Sequence, residues 1–155
     1  MKKFLIAALA ALSLNAANLH FSLHKMESGK GDTLFIIGGI HGNEPGSYFA
    51  PALFINHYKI IDGNVWVVPN LNFDSLTQNQ RGIYGDMNRK FAVIKNDDKD
   101  KQIVADIKKL ILEPKVDLIL NLHDGHGFYR KEHKNNLFNP KAWGQAFIID
   151  QQALA

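Results

Sequence analysis

The sequence predicts an α/β fold in which an open, mixed but mostly parallel sheet carries helices on both faces. Two apolar runs, residues 33–40 and 116–122, have the length and β-branched content of strands buried on both faces. Residues 44–58 and 97–113 repeat apolar side chains at helical spacing. Strands that alternate with helices are typical of a sheet layered by helices.

Shorter patterns predict the remaining elements. Residues 18–25 alternate apolar and polar side chains, as a half-exposed strand does. Pro45 suits the first turn of the helix at 44–58, where its missing N–H costs little. The other predicted elements are a strand at 64–69, a long polar loop through Arg89, and a last strand at 144–150.

The start of the chain resembles an export signal. Lys2 and Lys3 precede an apolar stretch over residues 4–14, and Ala16 and Ala17 follow it. This is the build of a secretory signal peptide covering residues 1–17. The apolar stretch is too short for a stable membrane anchor, which needs about 20 residues. Residues 18–155 are therefore expected to form the exported domain.

Composition excludes several function classes. The chain has 155 residues and no cysteine, so it has no disulfide, thiolate nucleophile or cysteine-ligated metal. Its formal charge of +3 falls further once Lys2 and Lys3 leave with the signal peptide, which argues against a nucleic-acid partner. The length suits one modest core and not two domains.

Three side chains have the composition of a catalytic zinc site. His41 and Glu44 follow the first apolar run, and His123 follows the second. Two imidazoles and one carboxylate commonly hold zinc in hydrolytic enzymes and leave the fourth position to water. The carboxyl ends of parallel strands share one edge of a sheet, so the three can converge if these strands are neighbours.

The second histidine ligand has a competitor. His126 follows His123 closely, and either imidazole could reach a metal. We prefer His123 because it directly ends the apolar run. Asp124 is then a candidate partner that orients an imidazole.

A polar segment around residues 81–91 predicts a carboxylate clamp. A guanidinium binds a carboxylate through two parallel hydrogen bonds, and a neighbouring amide adds a donor. Asn88 and Arg89 could hold a terminal carboxylate in this way, and Arg81 could stabilise a developing oxyanion. A single arginine in a polar loop is more often merely solvated, so the prediction depends on the three residues together.

The order of these motifs resembles the zinc carboxypeptidase superfamily, which includes the succinylglutamate desuccinylase and aspartoacylase group. The resemblance covers residues 33–130 and is carried by His41-x-x-Glu44, Arg81, Asn88-Arg89 and His123. With the export signal, the segment at residues 38–46 is most similar to the periplasmic peptidoglycan DL-carboxypeptidases that set helical cell shape.

This resemblance implies a function for each motif. The substrate would be a peptidoglycan stem peptide in the periplasm, trimmed by one residue from its carboxyl end, from muramyl tripeptide to dipeptide. The implied roles are Zn²⁺ ligands for His41, Glu44 and His123, carbonyl polariser for Arg81, and carboxylate holders for Asn88 and Arg89.

One part of such a site is missing. Family members supply a general-base glutamate well downstream of the third ligand, and the glutamates here, Glu27, Glu44, Glu113 and Glu132, do not fit that role. Residues 18–155 are therefore expected to be the N-terminal part of a catalytic domain truncated on its C-terminal side. Two alternatives stay open: a desuccinylase-type amide hydrolase, or a non-catalytic fragment that binds metal or muropeptide.

Overall fold

A four-stranded sheet forms the centre of the protein. The structure is a computed structural model that describes residues 19–142. The strands are β1 (His24–Glu27), β2 (Thr33–Ile37), β3 (Asn64–Val68) and β4 (Leu118–Asn121). Their order across the sheet is β1-β3-β2-β4, with β2 parallel to both β3 and β4 and β1 antiparallel to β3. This confirms the predicted open, mostly parallel sheet.

Helices pack on both faces of this sheet, as predicted. The helices are α1 (Pro45–His57), α2 (Phe73–Thr77) and α3 (Lys101–Ile111), with a 3-10 turn at Met87–Lys90. On one face, α1 contributes Phe54 and Ile55 to a core with alternate residues of the strands. On the other face, Val104 and Ile107 of α3 are buried. No helix within residues 19–142 is long and apolar enough to cross a membrane.

The core follows the two-residue repeat of the strands. Because successive side chains of a strand point to opposite faces, each buried strand supplies both cores. The face packed by α3 contains Phe35, Ile37, Trp66 and Val68, whereas the face packed by α1 contains Ile36, Val65 and Val67.

Three predicted elements differ from the structure. The first strand is β1 at His24–Glu27 and not residues 18–25, because its pairing with the five-residue β3 begins at His24. The predicted loop contains the short helix α2, which starts where the Asn72 side chain accepts a hydrogen bond from Ser75 N.

The third difference concerns β4. The sequence predicts a strand buried on both faces, but Leu118 is 57% exposed and Ile119 is 38% exposed. Within residues 19–142, β4 pairs only with β2 and forms an edge of the sheet. An edge strand has a neighbour on one side only, so its apolar composition here does not indicate full burial. A small second sheet follows, β5 (Phe128–Tyr129) parallel to β6 (Phe138–Asn139).

The turn after β2 places the first metal-binding candidates at the sheet edge. Gly39 has a φ of +69°, a left-handed conformation that glycine adopts at little cost. The chain therefore turns sharply between the end of β2 and His41. The carbonyls of Gly38 and Gly39 accept hydrogen bonds from Leu71 N and Asn72 N at 3.0 and 2.9 Å, so the loop after β3 holds this turn. The predicted signal peptide at residues 1–17 and the predicted strand at 144–150 lie outside the described residues.

Candidate metal centre

Three side chains converge at the carboxyl edge of β2 and β4. The parallel register pairs Ile37 with Asn121, and Leu122 N donates to the carbonyl of Ile37 at 2.8 Å. The ligating atoms of His41, Glu44 and His123 consequently lie within 4.8 Å of one another. Both imidazoles approach the same carboxylate: Nδ1 of His41 lies 2.8 Å from Glu44 Oε1, and Nδ1 of His123 lies 2.8 Å from Glu44 Oε2.

The three side chains of this cluster differ in how deeply they are buried. His41 is 1% exposed and Glu44 is 9% exposed, whereas the side chain of His123 is 31% exposed. A buried carboxylate and a buried imidazole need partners, because an unpaired polar group costs free energy in a dry environment. The cluster of His41, Glu44 and His123 is thus shielded from solvent beside β2 and partly open to solvent beside β4.

Asp86 holds the far side of the His41 ring. Nε2 of His41 lies 2.9 Å from Asp86 Oδ1, within hydrogen-bond distance of a carboxylate that can only accept. Nδ1 of the same ring lies 2.8 Å from Glu44 Oε1, so the imidazole stands between two carboxylates and can donate to either of them. A carboxylate behind the second ring nitrogen is the usual partner of a metal-binding histidine.

The His123 ring is flanked by amides. Nδ2 of Asn121 and Nδ2 of Asn88 lie 3.2 and 3.5 Å from its Nε2, which leaves Nδ1 toward Glu44. His126, the competing histidine, does not join the cluster and instead lines a separate cavity of about 660 Å³ with His133. Of the two histidines, the structure therefore brings His123 to the cluster.

Arg81 bridges the two carboxylates of the centre. Its Nη1 donates to Glu44 Oε1 at 3.1 Å and its Nε donates to Asp86 Oδ2 at 3.2 Å. The side chain is 50% exposed, so the guanidinium lies at the rim and is accessible to a ligand. A cation here balances two neighbouring negative groups.

The two carboxylates of the centre are held in their charged forms. Burial alone would raise the pKa of Glu44, but hydrogen bonds from His123 and His41, with the Asp124 N–H, lower it overall. Burial likewise opposes ionisation of Asp86, but the hydrogen bonds from His41 and Arg81 lower its pKa. Charged oxygens are the form that binds a metal.

A buried ion cluster fixes the segment that carries Asn88. The Lys90 ammonium donates to Asp100 Oδ2 at 2.7 Å, to Asp98 Oδ1 at 2.8 Å and to the Tyr84 carbonyl at 2.6 Å. Burial by itself would lower the pKa of Lys90, but its bonds to Asp100 and Asp98 raise it. The cluster joins residues 84–90 to the start of α3 and so determines where the 3-10 turn lies.

The other residues predicted for the site are Asn88, Arg89 and Asp124, and they differ in their contacts with the centre. Asn88 approaches His123 from the 3-10 turn, but Arg89 is exposed and makes no side-chain hydrogen bond to the other described residues. The interpretation of Asp124 as a partner of an imidazole is wrong: its carboxylate accepts from Gly46 N at 2.9 Å, and its own N–H donates to Glu44.

Sequence reasoning missed Asp86. The residue lies inside the segment at 81–91 and received no role, although it is the one acidic residue there. The signal that could have found it is chemical, because a buried metal-binding imidazole needs an acceptor for its second nitrogen. No spacing rule connects Asp86 to His41, since the contact spans 45 positions of the chain.

The donor set fits a zinc ion. Two imidazole nitrogens and a carboxylate oxygen from His41, Glu44 and His123 match the ligands of catalytic zinc sites, which keep one position open. Asp86 meets the need for an acceptor behind His41. The half-open side beside His123 leaves room for a further ligand.

Comparison with known proteins decides the family. The family model for the carboxypeptidase controlling helical cell shape, catalytic part, matches residues 5–155. The chain belongs to this family. Membership of this carboxypeptidase family confirms the resemblance drawn from the motifs. No curated protein matches the chain.

Solved structures agree with this carboxypeptidase family. The tripeptide-bound cell shape determinant Csd4 from Helicobacter pylori is 42% identical, with a TM-score of 0.78, and the match covers 84% of this chain and 33% of that one. Its mDAP-bound form, described as a D,L-carboxypeptidase, is 42% identical with a TM-score of 0.76, and the match covers 83% of this chain and 32% of that one. An aspartoacylase family protein from Mesorhizobium loti is 25% identical with a TM-score of 0.56, and the match covers 70% of this chain and 35% of that one. The chain spans about a third of the length of these relatives.

Proposed function

We propose that this chain is part of a zinc-dependent carboxypeptidase that removes the C-terminal residue of a peptidoglycan stem peptide, from muramyl tripeptide to dipeptide, and so affects cell shape. The observation that carries the proposal is the convergence of His41, Glu44 and His123 at one edge of the sheet. Family membership supports the reaction class, and the tripeptide-bound and mDAP-bound relatives support the substrate class.

The residues at the edge of β2 and β4 would have different roles in binding the metal and the substrate. His41, Glu44 and His123 would hold the zinc, with Asp86 keeping the His41 ring in place. A bound zinc ion would supply a Lewis acid that polarises the scissile carbonyl and lowers the pKa of water to about 7. Arg81, at the exposed rim, would donate to the carbonyl oxygen as negative charge develops on it.

Asn88 and Arg89 would select the free end of the peptide. Asn88 lies within 3.5 Å of His123, so a carboxylate held by the 3-10 turn presents the last amide bond to the centre. Arg89 is exposed and is therefore available to form a bidentate pair with that carboxylate. Fixing the chain end in this way makes the cut one residue from the terminus.

The general base is proposed to come from outside residues 19–142. Glu27 is paired with Asn64 at the opposite end of the strands, where its carboxylate accepts from Trp66 Nε1 at 3.4 Å. Glu44 is a zinc-ligand candidate, and Glu132 is exposed beyond β5. These positions support the argument from the sequence that Glu27, Glu44 and Glu132 do not suit the role.

Incubation of the exported enzyme of which this chain is proposed to be part with a purified muramyl tripeptide, with and without a zinc chelator, tests the proposal. Chelator-sensitive release of one C-terminal residue is the expected result. Turnover confined to N-acylated amino acids would instead favour a desuccinylase-type hydrolase. Binding of the muropeptide without turnover would indicate a non-catalytic module.

Localisation is a separate proposal. We infer export to the periplasm with removal of residues 1–17, on the strength of the lysines, apolar stretch and small residues at the start of the chain. N-terminal sequencing of the protein from a periplasmic fraction tests it. A protein that retains Met1 in the cytoplasmic fraction would contradict it.

Arg89→Ala is expected to weaken binding of peptides with a free C-terminal carboxylate by about 10- to 100-fold, the equivalent of one charged hydrogen-bonded pair. Binding of the C-terminally amidated peptide should stay unchanged, because it offers no carboxylate. Calorimetry with both peptides measures the difference. Arg130→Ala removes an equal charge that stacks near Phe138 and serves as the control. Equal losses for both peptides would refute the clamp.

A further inference from the structure

Asp124 connects the two parts of the chain that supply the metal-binding candidates. Its carboxylate Oδ2 accepts from Gly46 N at 2.9 Å, across 78 positions of sequence. Its own N–H donates to Glu44 Oε2 at 3.2 Å. Asp124 directly follows His123 and therefore ties the segment after β4 to the start of α1.

The start of α1 depends on this contact. Glu44 is the N-cap residue of α1, but its side chain makes no capping hydrogen bond, because the carboxylate faces the two imidazoles. The first turn of a helix exposes N–H groups that need acceptors, and a negative charge is favourable there. Asp124 supplies both, from the neighbouring loop, and leaves Glu44 available to the metal centre.

Close packing shows that the contact is built into the fold. A Cβ placed on Gly46 would collide with Asp124 Oδ1. Gly46 does not have a positive φ, so its backbone conformation does not require glycine. A side chain at position 46 would therefore displace the Asp124 carboxylate from its place beside Gly46 N.

We infer that Asp124 is a positioning residue for the metal centre: its carboxylate fixes α1 relative to the segment after β4, and so sets the separation of Glu44 and His123. The inference rests on the proposed function, because it assumes that these two residues hold a metal. The Asp124 side chain makes no contact with either imidazole among the hydrogen bonds of the described residues.

Zinc affinity of the full chain, measured by competition with a chromophoric chelator, tests this inference. Asp124→Ala should weaken zinc binding by about 10- to 100-fold, the usual effect of removing an outer partner of a metal site. Asp124→Asn retains an oxygen acceptor for Gly46 N and should recover most of that loss. The main-chain bond to Glu44 persists in both variants, so the effect belongs to the carboxylate.

A matched control separates positioning from general stability. Asp117 Oδ2 accepts from Thr33 N at 2.8 Å, an aspartate-to-backbone bond at the opposite end of the same strand pair. Asp117→Ala should lower the Tm but leave the zinc affinity unchanged. Gly46→Ala should weaken zinc binding, and less so in the Asp124→Ala background, where the collision is relieved.

The outcomes distinguish this inference from the proposed function. Zinc binding by Asp124→Ala within twofold of the wild type would overturn the positioning role and leave the proposed function standing. Equal losses of zinc affinity in Asp124→Ala and Asp117→Ala would also overturn it. A wild-type chain that binds no zinc would overturn the proposed function together with this inference.

Discussion

Glu44→Ala is expected to abolish stoichiometric zinc binding and, in the proposed carboxypeptidase that contains this chain, peptidase activity. The carboxylate of Glu44 is the group that both imidazoles approach, each at 2.8 Å. Its removal leaves two neutral nitrogens without a charged ligand. Outer partners of metal sites already contribute about 10- to 100-fold to affinity, and a ligand contributes more. Metal analysis of the purified protein measures the loss.

Charge and shape are separated by a second substitution. Glu44→Gln keeps the size of the side chain but removes its negative charge, so it should also lose zinc if the carboxylate binds the metal. Glu132→Ala removes an exposed carboxylate beyond β5 and should keep full zinc content. Full zinc in Glu44→Ala would show that the metal is held elsewhere.

Lys90→Met is expected to lower the free energy of unfolding by about 3–5 kcal/mol, the usual effect of removing one partner from a buried ion pair. Asp100 is 1% exposed and would lose its cation. Urea denaturation measures the change. Lys101→Met is the matched control, because its ammonium binds Asn96 at the surface at 3.0 Å and should contribute less than about 1 kcal/mol. Similar losses in both variants would contradict the argument.

The difference in the free energy of unfolding between the wild type and Lys90→Met should depend on pH in a direction that the pKa shifts define. The pKa of Lys90 is raised in the folded protein, so its contribution is complete below the unfolded value of about 10.4 and is lost as the pH rises through the folded value. Burial by itself would raise the pKa of Asp98, but the bond from Lys90, together with the Asp100 N–H and the charges of nearby lysines, lowers it overall. Its contribution is complete above about 3.9 and is lost as the pH falls.

The difference in stability between the wild type and Lys90→Met should therefore be constant near neutrality and shrink at both extremes. Denaturation curves of both proteins across the pH range measure it. A difference that grows below about pH 4 would contradict the ion-pair explanation.

Apolar runs and their spacing were sufficient to predict the sheet, its two covered faces and the edge where the site lies. The continuous run at β2 is buried between strands that pair on both of its sides. The similar run at β4 is partly exposed, since within residues 19–142 β4 pairs with β2 alone. Composition cannot distinguish these cases, because strand neighbours are a property of the whole sheet. The short helix α2 was missed because five residues hold too few turns for a helical repeat.

The residues that could hold the metal were predictable from the sequence. The residues that position them were not. Histidine and glutamate after two strand ends form a pattern that the sequence displays. Asp86 behind His41 and Asp124 against Gly46 are contacts between distant segments. They depend on backbone packing that no local pattern records.

The parallel pairing of β2 with β4 also has a consequence for folding. The ligand candidates come from segments 79 positions apart, and they meet only after a pairing with a large loop-closure entropy has formed. The unfolded chain therefore offers no assembled chelate, and a metal ion would bind the native state in preference. The conformational stability of the folded chain should then rise with zinc concentration and fall where zinc is scarce.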